Sequence, residues 1–132
     1  MRTKQSLTLA DVKKMMAACE AKAAANKWAV AISIVDDGGF LLGFTRMDGA
    51  AAVTAEVSMG KARASAMTKR PSKFFEDRIK ERPAFLALPA GILLQGGVPV
   101  MYQNGCVGAI GVSGVRSHED EEVAQGGASA IG

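Results

Sequence analysis

Apolar and polar positions along the chain change period several times, and each change marks an element. Leu9, Val12, Met16, Cys19 and Ala23 recur at helical spacing, with Lys13, Lys14, Glu20 and Lys22 largely on the other side. Thr8 stands as N-cap with Asp11 at N3, a short variant of the capping box, and the helix is expected to end near Asn26. Ala29–Asp36 then alternates, with Val30, Ile32 and Ile34 against Ala29, Ala31, Ser33 and Val35. Both sets are small or apolar, which predicts a strand covered on both faces. Asp37-Gly38-Gly39 turns the chain into a second strand, Phe40–Met47, making a hairpin.

Helical spacing returns over Ala50–Met67, now in small residues. Thr54, Ser58, Lys61 and Ser65 form a polar line, while Val53, Val57, Gly60, Ala64 and Met67 lie on a different side, small enough to sit tightly on the sheet or another subunit. Lys69-Arg70-Pro71-Ser72 breaks this pattern, and a short helix follows from Ser72, read as its cap, to about Lys80. Arg82-Pro83 and Leu88-Pro89-Ala90-Gly91 bracket an irregular segment of the kind that shapes binding sites. Ile92–Leu94 reads as a short strand. Beyond it lies the strongest turn signal, Asn104-Gly105, which suits a type I′ turn between Val98–Gln103 and Cys106–Val112. Glycines at 108, 111 and 114 predict that a backbone, helix or ligand comes close to this sheet face. Ser117 caps a terminal helix with acids in its first turn. Two hairpins among helices give an α+β fold, an antiparallel sheet covered by helices.

Composition narrows the picture. The 132 residues form one domain spanning 1–132, and 48% are hydrophobic while only 5% are aromatic, so elements pack through small side chains. A net charge of +3 without a basic block argues against nucleic acid as partner. No apolar run suits a membrane span and the N-terminus has no apolar signal core, so a cytoplasmic protein is expected. Cys19 and Cys106 fit no metal spacing and read as buried free thiols; no metal site is expected.

Candidate chemistry is sparse. The single histidine, His118, lies in an acidic cluster at a helix start and reads as a solvated surface residue. No zinc-protease, Walker or dinucleotide pattern is present. Arg46, Asp48, Glu56 and Lys61 make the better constellation. An arginine can clamp a carboxylate with two prongs, and a desolvated lysine can serve as acid or base. The same residues also read as an Arg46–Asp48 turn contact and a Lys61 reaching solvent. The seven methionines suit a planar ligand pocket, though core filling is their commoner use.

VDDGG (35–39), RMDGA (46–50), KARASA (61–66), GGVP (96–99) and GAIGVSG (108–114), followed by Glu119-Asp120, come in this order over nearly the whole chain. Together they resemble the haem-binding GlcG/HbpS family, which includes the C-terminal domain of PduO cobalamin adenosyltransferases. The resemblance implies a profilin-like α-β-α sandwich with a five-stranded antiparallel sheet, assembled as a homo-oligomer. Characterised members bind haem or are associated with corrinoid metabolism, and some relatives look like lyases acting on hydroxylamino-aromatic acids. Arg46, Asp48, Gly49, Lys61, Gly97, Pro99, Gly111 and Ser113 match the family pattern. Ala64 stands where threonine is common, Val115 replaces a frequent glycine, and no motif position offers a histidine.

Two readings follow. The first is a cytoplasmic small-ligand-binding protein, with haem or a related tetrapyrrole as leading ligand and otherwise no cofactor, held by Arg46, Glu56, Gly97 and Ser113. The second is a cofactor-free lyase or isomerase for a small aromatic or hydroxy acid, in which Arg46 clamps the carboxylate while Lys61 or Asp48 moves a proton. Independently of the resemblance, Ala52, Ala55, Gly60 and Ala64 offer more small surface than one buried face requires. A symmetric homo-oligomer, two-fold paired at first, is therefore expected.

Overall fold

The structure, a computed structural model, describes residues 1–131. Four helices, α1 (Leu9–Ala25), α2 (Val53–Thr68), α3 (Ser72–Glu81) and α4 (Ser117–Ala128), accompany four strands. The strands are β1 (Ala31–Asp36), β2 (Leu41–Arg46), β3 (Gly97–Tyr102) and β4 (Gly105–Ser113). All pairings are antiparallel, in the order β2-β1-β4-β3. The α+β class holds, but the sheet has four strands where five were expected.

Ile92–Leu94 is the missing strand. Instead of reaching the sheet it lies across α2: the Ile92 N–H donates to the Gly60 carbonyl at 3.0 Å, and the Ile92 side chain fills the space that a side chain at Gly60 would need. Leu93 is buried with Phe75, Ala64 and Ala90. A segment whose apolar side chains and backbone donor are satisfied by helices has nothing left to offer a sheet edge.

The central strands β1 and β4 are buried on both sides, while the edge strand β2 is largely exposed, and side-chain alternation sorts the two layers. Val30, Ile32, Ile34, Val98, Val100, Ile110 and Val112 meet Val12, Cys19 and Val123 of α1 and α4 in the main core. Val35 and Ala109 face Ala62 and Ala66 of α2. Thr8 and Asp11 close the expected capping box at the start of α1. The buried stripe of α1 runs through Met15, whereas Leu9 is exposed and Met16 only half-buried. Cys19 is buried and Cys106 half-buried.

Helix α2 is turned around relative to its hydrophobic pattern. Thr54, Ser58, Lys61 and Ser65 face the protein interior, while Val53 and Met67 are exposed. The cause lies in the sheet. Side chains added at Gly111 or Gly97 would strike α2 backbone at Ser58, Ala62 and Lys61. A helix riding that close admits only small side chains, and hydroxyls are small and can bond locally. Ser58 Oγ lies 2.8 Å from Ser33 Oγ and 2.9 Å from the Ala55 carbonyl, and Thr54 Oγ1 donates to the Ala51 carbonyl. Of the small residues expected to serve an oligomer interface, Ala64 is buried and Gly60 receives Ile92, while Ala52 is exposed and Ala55 half-buried.

Two caps and one turn also differ from expectation. Ser72 is the first residue of α3, not its cap, and its buried hydroxyl bonds Leu94 O and accepts from the Gly97 N–H. Arg116, not Ser117, occupies the N-cap of α4. In the β3–β4 hairpin the positive φ values fall on Gln103 and Asn104, and Gly105 already pairs with Tyr102. The buried pair Val98 and Ile110 holds the register, and the turn takes whichever residues remain.

Candidate functional site

At the end of the sheet where β1 begins and β2 ends, the close of α1 bends over the strands and leaves a shallow cleft. It measures about 600 Å³ and is lined by Glu20, Ala24, Lys27, Trp28, Ala29, Thr45, Arg46, Met47 and Asp48. Local structure explains the grouping. Helix α1 stops at Asn26, Lys27 takes the left-handed conformation at φ 59°, and the Trp28 N–H returns to Ala23 O at 2.9 Å. That reversal brings Lys27 and Trp28 beside the β2 end, where the Met47 N–H bonds Val30 O. Glu20, an acid on the wall, accepts from the Thr45 hydroxyl at 3.0 Å. Arg46 and Asp48, singled out by sequence, line this cleft together.

Lys61 lies elsewhere, in a buried ion pair. Its ammonium donates to Asp120 Oδ2 at 3.1 Å and to Val112 O at 3.0 Å, and each side chain of the pair is only 3% exposed. Asp120 also accepts from the Val115 N–H. Burial pushes the Asp120 carboxyl above the usual carboxylate range, although the Lys61 ammonium and the Val115 N–H both pull it down. The lysine leaves α2, passes Gly96 just before β3, and reaches α4 beyond the end of β4, so one pair ties three elements.

The other expected site residues fall near one or the other centre, or near neither. Gly97 is buried against the Lys61 backbone, and Ser113 is buried at the end of β4, opposite Ala31, which also pairs with Arg46. Glu56 is exposed on the first turn of α2. His118 is exposed at the start of α4. Sequence reasoning noted Asp120 only as part of the family pattern and did not single out Trp28 or Lys27 at all. Asp120 sits in a run of acids favourable at any helix start, which hid its burial. The one sequence signal for Trp28 was its being the only tryptophan, directly after a helix end.

Comparison with known proteins adds a second line. The sequence model of the family described as "Haem degrading protein HbpS-like" matches residues 7–129. Protein GlcG of Escherichia coli (strain K12) is 40% identical over 114 residues, covering 86% of this chain and 85% of that protein. A double mutant of Streptomyces reticuli HbpS superposes with a TM-score of 0.92 at 28% identity, covering 100% of this chain and 91% of that one. A PduOC:heme complex shares the fold at a TM-score of 0.87 and 23% identity, with 96% of each chain covered.

Proposed function

This chain belongs to the HbpS-like family, and from that premise we propose that it binds a small planar acid, with haem or a related tetrapyrrole as leading ligand, in the cleft at the end of α1. The observation that carries the reading is the cleft's lining. Ala24, Trp28, Ala29 and Met47 give it apolar walls, and Lys27 and Arg46 give it two cations beside the carboxylates of Asp48 and Glu20, the latter already bonded by Thr45. Its volume falls within the usual range for small-molecule sites. These residues fit a tetrapyrrole: Met47 would offer a thioether to the iron, and Lys27 and Arg46 would meet the two propionates. The iron supplies redox chemistry when bound. The chain's own contribution is to seat the ring on Trp28 and to fix its acid edge.

Titration of the purified protein with haemin tests this. A Soret shift complete at one equivalent is expected, with parallel quenching of the single tryptophan, Trp28. Lys27→Glu with Arg46→Glu should weaken binding about tenfold or more through loss of charge-assisted bonds. A wild-type protein without a Soret shift removes haem from consideration.

The same lining favours a second reading, a small aromatic acid with its ring on Trp28, its carboxylate on Arg46 and Asp48 beside it to move a proton. In that reading Lys61 stays in its pair with Asp120. Aromatic carboxylates that quench Trp28 while haemin does not would select it.

We propose that the chain pairs with a second copy of itself through β2. This edge strand bonds only to β1, carries a charge only at its end in Arg46, and with Phe40 just before it leaves Leu41, Leu42 and Phe44 exposed, the four between 39% and 73%. With Met67 beside Gly39, the uncovered apolar area is roughly 400 Å² per subunit, the size of patch that on a monomer often serves binding. Light scattering should give at least a dimer mass, reduced to a monomer by Leu42→Lys with Phe44→Glu. A wild-type monomer at micromolar concentration refutes the pairing.

A further inference from the structure

The segment 69–82, helix α3 with the residues that flank it, carries a basic surface that the proposed cleft does not use. Residues 69–82 hold six cations, Lys69, Arg70, Lys73, Arg78, Lys80 and Arg82, against three acids, Glu76, Asp77 and Glu81. Their balance of +3 equals the net charge of the whole chain, so the remainder is neutral. Lys73 is engaged by Asp77 at 2.6 Å. Among the described residues no carboxylate lies within ion-pair distance of Arg70, Arg78 or Arg82.

These three arginines are held by aromatic rings instead. The guanidinium carbons of Arg70 and Arg78 lie 4.3 and 3.8 Å from the centroid of Phe74, and that of Arg82 lies 5.3 Å from Phe85. The rings are themselves set by the core. Phe74 meets buried Phe75 edge-on at 5.1 Å, and Phe75 meets Phe85 at 6.1 Å. An exposed arginine ordinarily loses much rotamer freedom on binding an acid. Here stacking has already restricted the side chains, while the planar forks keep donors free for carboxylates.

We propose that the exposed surface formed by α3 and its two flanks, from Arg70 to Arg82, is a docking surface for an acidic polypeptide segment. Arg70 before α3, Arg78 within it and Arg82 at its C-cap are all exposed rather than enclosed in a cavity, which suits an extended partner better than a small molecule. The rings already carry guanidiniums, so they offer no free platform on which nucleic-acid bases could stack. An acidic side chain meets each fork with two parallel bonds, and the fixed positions of the forks select the spacing of the acids.

The test is fluorescence anisotropy of a labelled oligo-glutamate peptide titrated with the full chain at low and raised salt, beside labelled oligothymidylate and phosphatidylglycerol vesicles. Expected are salt-sensitive binding of the glutamate peptide in preference to both, and a loss of about tenfold or more in Arg70→Ala with Arg78→Ala. Circular dichroism checks that this variant is folded. Arg70→Lys with Arg78→Lys keeps the charge without the planar fork, and should also bind several-fold more weakly. The proposal is overturned if the glutamate peptide does not bind, if oligothymidylate or vesicles bind as well, or if the lysine variant binds like wild type.

Discussion

Replacing Lys61 by methionine isolates the energetics of the buried pair. Methionine keeps the length and most of the apolar stem but removes the ammonium, leaving the Asp120 carboxylate 2% exposed with only the Val115 N–H. Breaking a buried pair in this way costs about 3–5 kcal/mol, a large share of a typical domain's stability. For a chain of 132 residues that corresponds to a fall in Tm of roughly 10–20 °C. The cost depends on pH, and its sign follows from linkage. Asp120 already holds its proton above the usual carboxylate range, so its contribution to stability is greatest below its unfolded value and declines as pH rises through the folded one. Loss of Lys61 raises that folded value further. The variant should therefore approach wild type in acid and fall behind it as pH climbs through the window between the two folded values. Urea unfolding at several pH values between 4 and 8, with the m-value checked for constancy, measures this directly. Lys61→Met with Asp120→Leu should recover most of the loss, since a well-packed apolar replacement of a buried pair is often neutral or stabilising. A single variant costing under about 1 kcal/mol at neutral pH, with no pH dependence, would refute the reasoning.

Two glycines predict opposite outcomes for the same substitution. Gly111→Ala drives a methyl into α2 backbone at Ser58 and Ala62 and should cost at least about 3 kcal/mol or prevent folding. Gly126→Ala, in α4 with its nearest neighbour 3.8 Å away at Lys22, should stabilise by about 0.5–1 kcal/mol, both read from thermal melts. The thiols differ as well: burial pushes Cys19 up to about 12, so it should stay silent to a thiol reagent at pH 8 until the protein unfolds. Half-buried Cys106, raised less by burial, should react slowly in the native state, and fast native labelling of both would contradict the packing of α1.

Local chemistry determined much of this protein. The Thr8–Asp11 capping box, the two hairpins and the break at Pro71 all depend on residues near one another in the chain, and the glycines at 108 and 111 announced a close approach without naming what would approach. Arg46 and Asp48 were legible as a pair because one strand end carries both. The tertiary structure decided whatever required choosing between two satisfied partners. Helix α2 could bury either its valines or its hydroxyls, and only the glycine-floored sheet, admitting nothing larger, turned the hydroxyls inward. Ile92–Leu94 has the composition of a strand, yet Gly60 opened a seat for Ile92 on α2 and removed the fifth strand. Lys61 and Asp120 stand 59 residues apart, each surrounded by signals for solvent exposure. Spacing along a chain shows which face of one element a residue shares. It does not show which distant charge will meet it where water is excluded, because that depends on how three separate elements end at one place.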